Sequence, residues 1–171
     1  GKIKFFDPAC GSGNFLIIAY KAIRELEIEI WERIKTLQGG QSEFPFSNIT
    51  LQQFYGIEID EYACDTATLS LWLAEHQMNN KFYERLGTRP DALPLRPSGH
   101  IVCGNACRLD WNTVCPHTAD EEVYVMGNPP YVGSSMQDDG QKADLTLVCG
   151  SFDSYKNLDY IACWFVIGAK Y

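Results

Sequence analysis

The feature that most constrains this chain is Asp7-Pro8-Ala9-Cys10-Gly11-Ser12-Gly13-Asn14-Phe15, set between a strand-like run, Lys2 to Phe6, and a long helical pattern starting at Asn14. Glycines at such a junction let the backbone turn tightly and approach a ligand closely. The helix N-terminus behind them offers free N–H groups and a partial positive charge. A strand, a glycine loop and a helix in that order open a βαβ unit, so the chain is expected to build a parallel sheet with crossover helices.

The rest of the pattern agrees. Asn14 to about Leu37 reads as a helix whose buried face carries Phe15, Ile18, Ala22, Leu26, Ile30, Ile34 and Leu37, with Gly39-Gly40 ending it. Residues 41–50 read as a loop, and Gln53 to Ile59 as the second strand. Asp60 caps a helix from Glu61 to about Met78, buried through Ala67, Leu71 and Ala74. Residues 80–99, with Pro90, Pro94 and Pro97, read as a long connection. Ile101 to Gly104 and Glu122 to Gly127 are the third and fourth strands. The polar stretch from Gly133 to Tyr155 is expected to lack structure without a partner, because its apolar content is low. A last helix, about Leu158 to Lys170, has Ile161, Phe165 and Ala169 on one face. The expected fold class is α/β, a Rossmann-like doubly wound and mainly parallel sheet, truncated at both ends. The first strand has no element before it and the last helix no stop signal, so a piece of a larger protein is expected.

Composition narrows the function. Fourteen Lys and Arg against 22 Asp and Glu give a net charge of -8, which argues against a surface that is basic throughout. No apolar run is long enough to span a bilayer. Seven cysteines, odd in number and irregular in spacing, read as reduced thiols of a cytoplasmic protein. Cys103, Cys107, Cys115 and His117 could in principle form a Cys3His zinc site, but zinc sites usually carry tighter cysteine pairs on turns, so no metal is expected.

The loop itself discriminates between cofactors. The third glycine of the dinucleotide pattern would fall at position 16, which is Leu16, and this disfavours NAD. No Lys-Ser/Thr pair follows, which disfavours a P-loop nucleotide site. Asp7 would repel a phosphate but suits a cation. S-adenosylmethionine, with a sulfonium, an ammonium and no phosphate, meets that condition. The bland alternative for the loop alone is a plain structural turn capped by Asp7. Glu58, at the end of the second strand, is placed to accept hydrogen bonds from a ribose diol. Read alone, Glu58 and Asp60 are solvated strand-end charges.

Gly127-Asn128-Pro129-Pro130-Tyr131, after the fourth strand, carries the chemistry. A planar amino group must become more tetrahedral before it attacks a methyl group. Two fixed acceptors, the Asn128 side-chain oxygen and the Pro129 carbonyl, can hold both N–H groups and favour that change. The two prolines stiffen the backbone. Tyr131 offers a flat face for a base drawn out of a duplex. No metal or general base is needed before attack, and in-line positioning supplies much of the rate. The bland alternative is a strand-end turn.

These three constellations, in this order, resemble motifs I, II and IV of DNA N6-adenine methyltransferases. The resemblance runs through nearly the whole chain and is strongest toward the MmeI-like branch, large type II restriction–modification proteins that combine nuclease, methyltransferase and target-recognition parts. It implies that Asp7, Ala9, Gly11, Gly13 and Phe15 surround the methionine part of S-adenosylmethionine, that Glu58 binds the ribose, and that Ile59 packs on the adenine. It implies that Asn105, at a position where Asp is common, contacts the adenine amino group, and that Asn128, Pro129, Pro130 and Tyr131 form the catalytic pocket. The motif order resembles the gamma arrangement, so target recognition and the main DNA contacts are expected after Tyr171 and the family's motif X before Gly1. The implied activity is that of an adenine-specific DNA methyltransferase with DNA as partner and no membrane. The alternatives are a methyltransferase acting on cytosine N4, RNA or a protein glutamine amide, and a non-catalytic cofactor-binding fragment.

Overall fold

The computed structural model describes residues 2–38, 45–88 and 99–171. Four strands, β1 (Ile3–Asp7), β2 (Phe54–Glu58), β3 (His100–Cys103) and β4 (Glu122–Val125), form one sheet in the order β3-β2-β1-β4. Every pairing is parallel, with Phe5 opposite Phe54 and Tyr124, and Gly56 opposite Ile101. The helices α1 (Asn14–Leu37) and α2 (Glu61–Leu86) cross between β1, β2 and β3, and the short α3 (Trp111–Val114) precedes β4. Two further helices follow, α4 (Asp139–Cys149) and α5 (Ala162–Gly168). This is the α/β, Rossmann-like architecture expected from the sequence.

Strand alternation divides the core. Phe5 and Phe54 point to one face and stack with ring centroids 4.8 Å apart, beneath Leu16 and Tyr20 of α1 and Ala67, Leu71 and Phe82 of α2. Phe6, Tyr55 and Ile57 point to the other face, against Trp111 of α3. Leu145, Cys149, Tyr160 and Cys163 join α4 and α5 into a smaller cluster.

Four expectations need correction. The buried face of α1 is Leu16, Tyr20, Arg24 and Ile28, whereas Phe15, Ile18, Leu26, Ile30 and Leu37 are exposed. The helix carries two interlaced apolar stripes, and the buried one contains Arg24. Its guanidinium donates to the Tyr20 hydroxyl (2.9 Å) and the Asn79 side-chain oxygen (3.1 Å), pairs with Glu27 (3.2 Å) and lies over the Phe82 ring. A buried cation is tolerable when it is so paired.

Helix α2 runs two turns past Met78, burying Phe82 and Leu86, and ends on Gly87 at φ 78°. Asn80 and Lys81 are exposed and half-buried Asn79 accepts from Arg24, so this polar run does not break the helix. The segment 133–155 contains α4, started by a capping box in which Asp138 accepts from the Gln141 N–H (2.8 Å) and Gln141 returns the bond (3.1 Å). The last helix is short, Ala162–Gly168, and buries Cys163 rather than Phe165, which is exposed. The expected stop at Gly39-Gly40 and the prolines at 90, 94 and 97 lie outside the described residues.

Candidate active site

The strand order switches sides at β1, since β2 and β3 lie on one side of it and β4 on the other. In doubly wound sheets the ligand crevice opens at the carboxyl ends of the strands at such a switch point. Every motif residue singled out in the sequence follows a strand end here. Asp7 to Phe15 leave β1, Glu58 and Ile59 leave β2, Asn105 follows β3, and Asn128 to Tyr131 follow β4.

A cleft of about 750 Å³ occupies this position. Ala9, Gly11, Glu58, Ile59, Asn105, Asn128 and Pro130 line it. Thus the loops after all four strands meet in one cavity. Asp7, Gly13, Phe15, Pro129 and Tyr131 do not form its wall. Asp7 is fully buried beneath the glycine loop, Gly13 starts α1 at φ 86°, Phe15 is half exposed, and Tyr131 stands in solvent at 69 % exposure.

The glycine loop is held from three sides. The Cys10 N–H donates to the Ile57 carbonyl (3.0 Å), the Gly13 N–H to the Cys10 carbonyl (2.8 Å), and the Gly11 N–H to Glu58 Oε2 (2.9 Å). The other Glu58 oxygen accepts from the Ile59 and Asp60 N–H groups (2.9 and 3.0 Å). Glu58 therefore ties the end of β2 to the loop after β1. Asp60 caps α2 as expected, accepting from the Ala63 N–H at 2.8 Å.

Asp7 is the electrostatic centre of the loop. Its Oδ1 accepts from the Ala9 N–H (3.0 Å), while Oδ2 is buried with no partner. Burial pushes its carboxyl up from 3.8 to about 6, against the pull of the Ala9 N–H and with a contribution from Glu58. Burial, helped by Asp7 and Glu58, also keeps the Cys10 thiol protonated. Gly127 packs directly on Asp7 at φ 153°, and a Cβ there would lie 3.0 Å from the Asp7 Cγ. The carboxylate thus links the cofactor-type loop to the Asn128 loop.

Sequence reasoning missed the far wall. Asp144 of α4 and Tyr160 before α5 line the cleft and are both buried. Asp144 Oδ2 accepts from Asn105 Nδ2 and from the Tyr160 hydroxyl, each at 2.8 Å, and Oδ1 accepts from Arg108 Nε at 2.7 Å. Burial, the largest single influence, raises the Asp144 carboxyl, but these three bonds outweigh it and hold it below the usual range. The end of the Asn128 loop is anchored as well. Asp159 accepts from the Val132 N–H (3.0 Å), and buried Gln137 donates to the Val132 and Leu158 carbonyls (2.9 and 3.0 Å). Trp164 donates to the Pro8 carbonyl at 3.0 Å. The only local signal for this wall was the Asp138–Gln141 spacing that starts α4.

Among the described residues, no three His, Cys, Asp or Glu side chains converge as a metal site, and no helix is long and apolar enough to cross a membrane. Cys115 is buried with its carbonyl bound by the Tyr171 hydroxyl (2.6 Å), and the Cys107 thiol faces Tyr160.

A switch-point cleft between a Gly-x-Gly loop and an Asn-Pro-Pro-Tyr loop defines a Rossmann-like methyltransferase domain. The chain belongs to the family described as the DNA-methyltransferase domain of MmeI, whose model matches residues 1–171. It is 53% identical over 173 residues to DNA methyltransferase A of Bacillus subtilis (strain 168), covering 100% of this chain and 19% of that protein. It superposes on the Type IIL restriction-modification enzyme MmeI, solved in complex with DNA, with a TM-score of 0.87 at 42% identity, covering 99% of this chain and 23% of that one. The chain therefore spans about a fifth of the length of these relatives. Family and fold imply dependence on S-adenosylmethionine. The residues fit such a group, because the cleft is within the roughly 300–1,000 Å³ of small-ligand sites and a buried carboxylate oxygen lies unpartnered beneath the loop.

Proposed function

We propose that this chain holds S-adenosylmethionine in the switch-point cleft and directs its methyl group to the N6 amino group of adenine in DNA, as the methyltransferase part of a restriction–modification protein. The observation that carries the reading is the convergence of the glycine loop, Glu58, Asn128 and Pro130 on a single cleft. The cofactor supplies an electrophilic methyl group on a sulfonium.

The chain's own residues do the rest. Glu58 accepts from the ribose hydroxyls, Ile59 covers one face of the adenine, and Asn105 meets its amino edge. The loop from Asp7 to Phe15 surrounds the methionine end, where buried Asp7 adds negative potential for a cation. The Asn128 side-chain oxygen and the Pro129 carbonyl accept both N–H groups of the target amine and favour its pyramidal form. Pro129 and Pro130 keep those acceptors preorganised. Tyr131, already in solvent, stacks on the base drawn from the duplex. The relative MmeI, solved with DNA, supports DNA as the partner.

Calorimetric titration with S-adenosylmethionine and, separately, NAD tests the cofactor reading. Selective binding of the former, lost in Glu58→Ala, is the expected result. Binding of NAD instead, or of neither, would refute it.

A further inference from the structure

We propose that Asp144 is a positioning residue that fixes the orientation of the Asn105 amide and thereby sets which purine edge the cleft accepts. The inference rests on the cofactor reading above. A carboxylate buried on a surface helix demands partners, and Asp144 has three, drawn from two other parts of the chain. Asn105 and Arg108 come from the loop after β3, and Tyr160 from the approach to α5.

The chemistry of the donors makes the arrangement directional. An ionised carboxylate only accepts, so Asn105 must turn Nδ2 toward Asp144. On its other side Asn105 Oδ1 accepts from the Cys107 N–H at 2.8 Å. The amide is therefore held in one sense by two bonds, one at each end. One N–H and one oxygen lone pair of Asn105 remain for the cleft that it lines. Adenine presents an acceptor at N1 beside a donor at N6, whereas hypoxanthine presents a donor at N1 beside an acceptor at O6. A fixed amide matches the first pattern, and only a flipped amide matches the second.

In Asp144→Asn this directionality is lost. Arg108 can only donate, so the new amide turns its oxygen to Arg108 and its NH2 toward Asn105, donor against donor. Asn105 must then flip or withdraw. A clamp that merely fastened α4 to the sheet would give no such change in preference.

The test is calorimetric titration of wild type and variants with S-adenosylhomocysteine and S-inosylhomocysteine, with thermal melts alongside. Wild type is expected to prefer the adenosyl compound by about tenfold or more, the scale of one bidentate base contact. D144N is expected to reduce that preference to within about threefold, chiefly by losing affinity for the adenosyl compound. If D144N binds both compounds more weakly by the same factor, or keeps the wild-type preference, the inference is overturned while the cofactor reading stands.

If D144N does not melt cooperatively, Asp144→Ala replaces it. Alanine suits a helix, and the Arg108 side chain is already 56% exposed and can turn to water. A reduced preference in D144A supports the inference, and an unchanged one overturns it. Wild type that binds neither compound overturns the cofactor reading itself.

Discussion

Gly127→Ala probes the joint between the two loops most sharply. At φ 153° this position disfavours a side chain, and the new Cβ would lie 3.0 Å from the Asp7 Cγ and closer still to Oδ1. Ordinary contact is near 3.4 Å or beyond, so the carboxylate or the loop must shift. Asp7 has no room to give, being fully buried with Oδ1 held by the Ala9 N–H. Backbone strain costs about 1–3 kcal/mol and overpacking about 1–3 kcal/mol. At about 3 kcal/mol in total, a chain of this size melts roughly 6–12 °C lower. The control is Gly133→Ala in the same loop, where a Cβ meets nothing within 4 Å. It is expected to melt within about 2 °C of wild type. Melting by circular dichroism, with S-adenosylhomocysteine titrations beside it, measures both effects. A G127A protein that melts with wild type and binds equally would refute the claim that Asp7 couples the loops.

Three further outcomes follow from the site. Asn128→Ala should abolish methyl transfer, by about a hundredfold or more, while leaving S-adenosylhomocysteine affinity within about twofold, measured by methyl incorporation and calorimetry. The folded-state value of Asp7, about 6, lies above its ordinary 3.8, so the native state binds this proton more tightly. Its contribution to stability is therefore complete below about pH 4 and lost as pH rises through 6, by up to about 3 kcal/mol. Asp7→Asn should unfold at higher urea than wild type at pH 7.5 and match it at pH 4, and a less stable D7N at pH 7.5 would contradict this. Wild-type affinity for S-adenosylmethionine should rise with pH through 6 and stay flat in D7N. Gln137→Ala removes two hydrogen bonds, to the Val132 and Leu158 carbonyls, that anchor the end of the Asn128 loop, so it should lower kcat by roughly tenfold with less change in the KM for cofactor.

The parallel sheet and the residues at its strand ends were legible because the signals for them are local. A glycine loop after a strand, an acid at the next strand end and Asn-Pro-Pro-Tyr after the fourth each state their place in the fold. The face of α1 was misread because Arg24 counts as polar in a periodicity, while Tyr20, Asn79 and Glu27 make it a buried residue. Tyr20 and Glu27 lie on the same helix, but Asn79 is 55 positions away and leaves no mark on the helix pattern. The wall formed by Asp144 and Tyr160 was hidden for the same reason. The segment looks too polar to pack, yet its buried carboxylate is satisfied by residues from the β3 loop 36 and 39 positions earlier. Local chemistry gave the near side of the cleft, and long-range satisfaction of polar groups built the far side.

The most direct test of the central claim is the identity of the methylated atom. The protein is incubated with DNA, RNA and a glutamine peptide in separate reactions with methyl-labelled S-adenosylmethionine, and the hydrolysed products are separated by mass spectrometry. The account predicts N6-methyladenine in DNA and none with Asn128→Ala. Label in N4-methylcytosine, RNA or the peptide, or no labelled product at all, would contradict it.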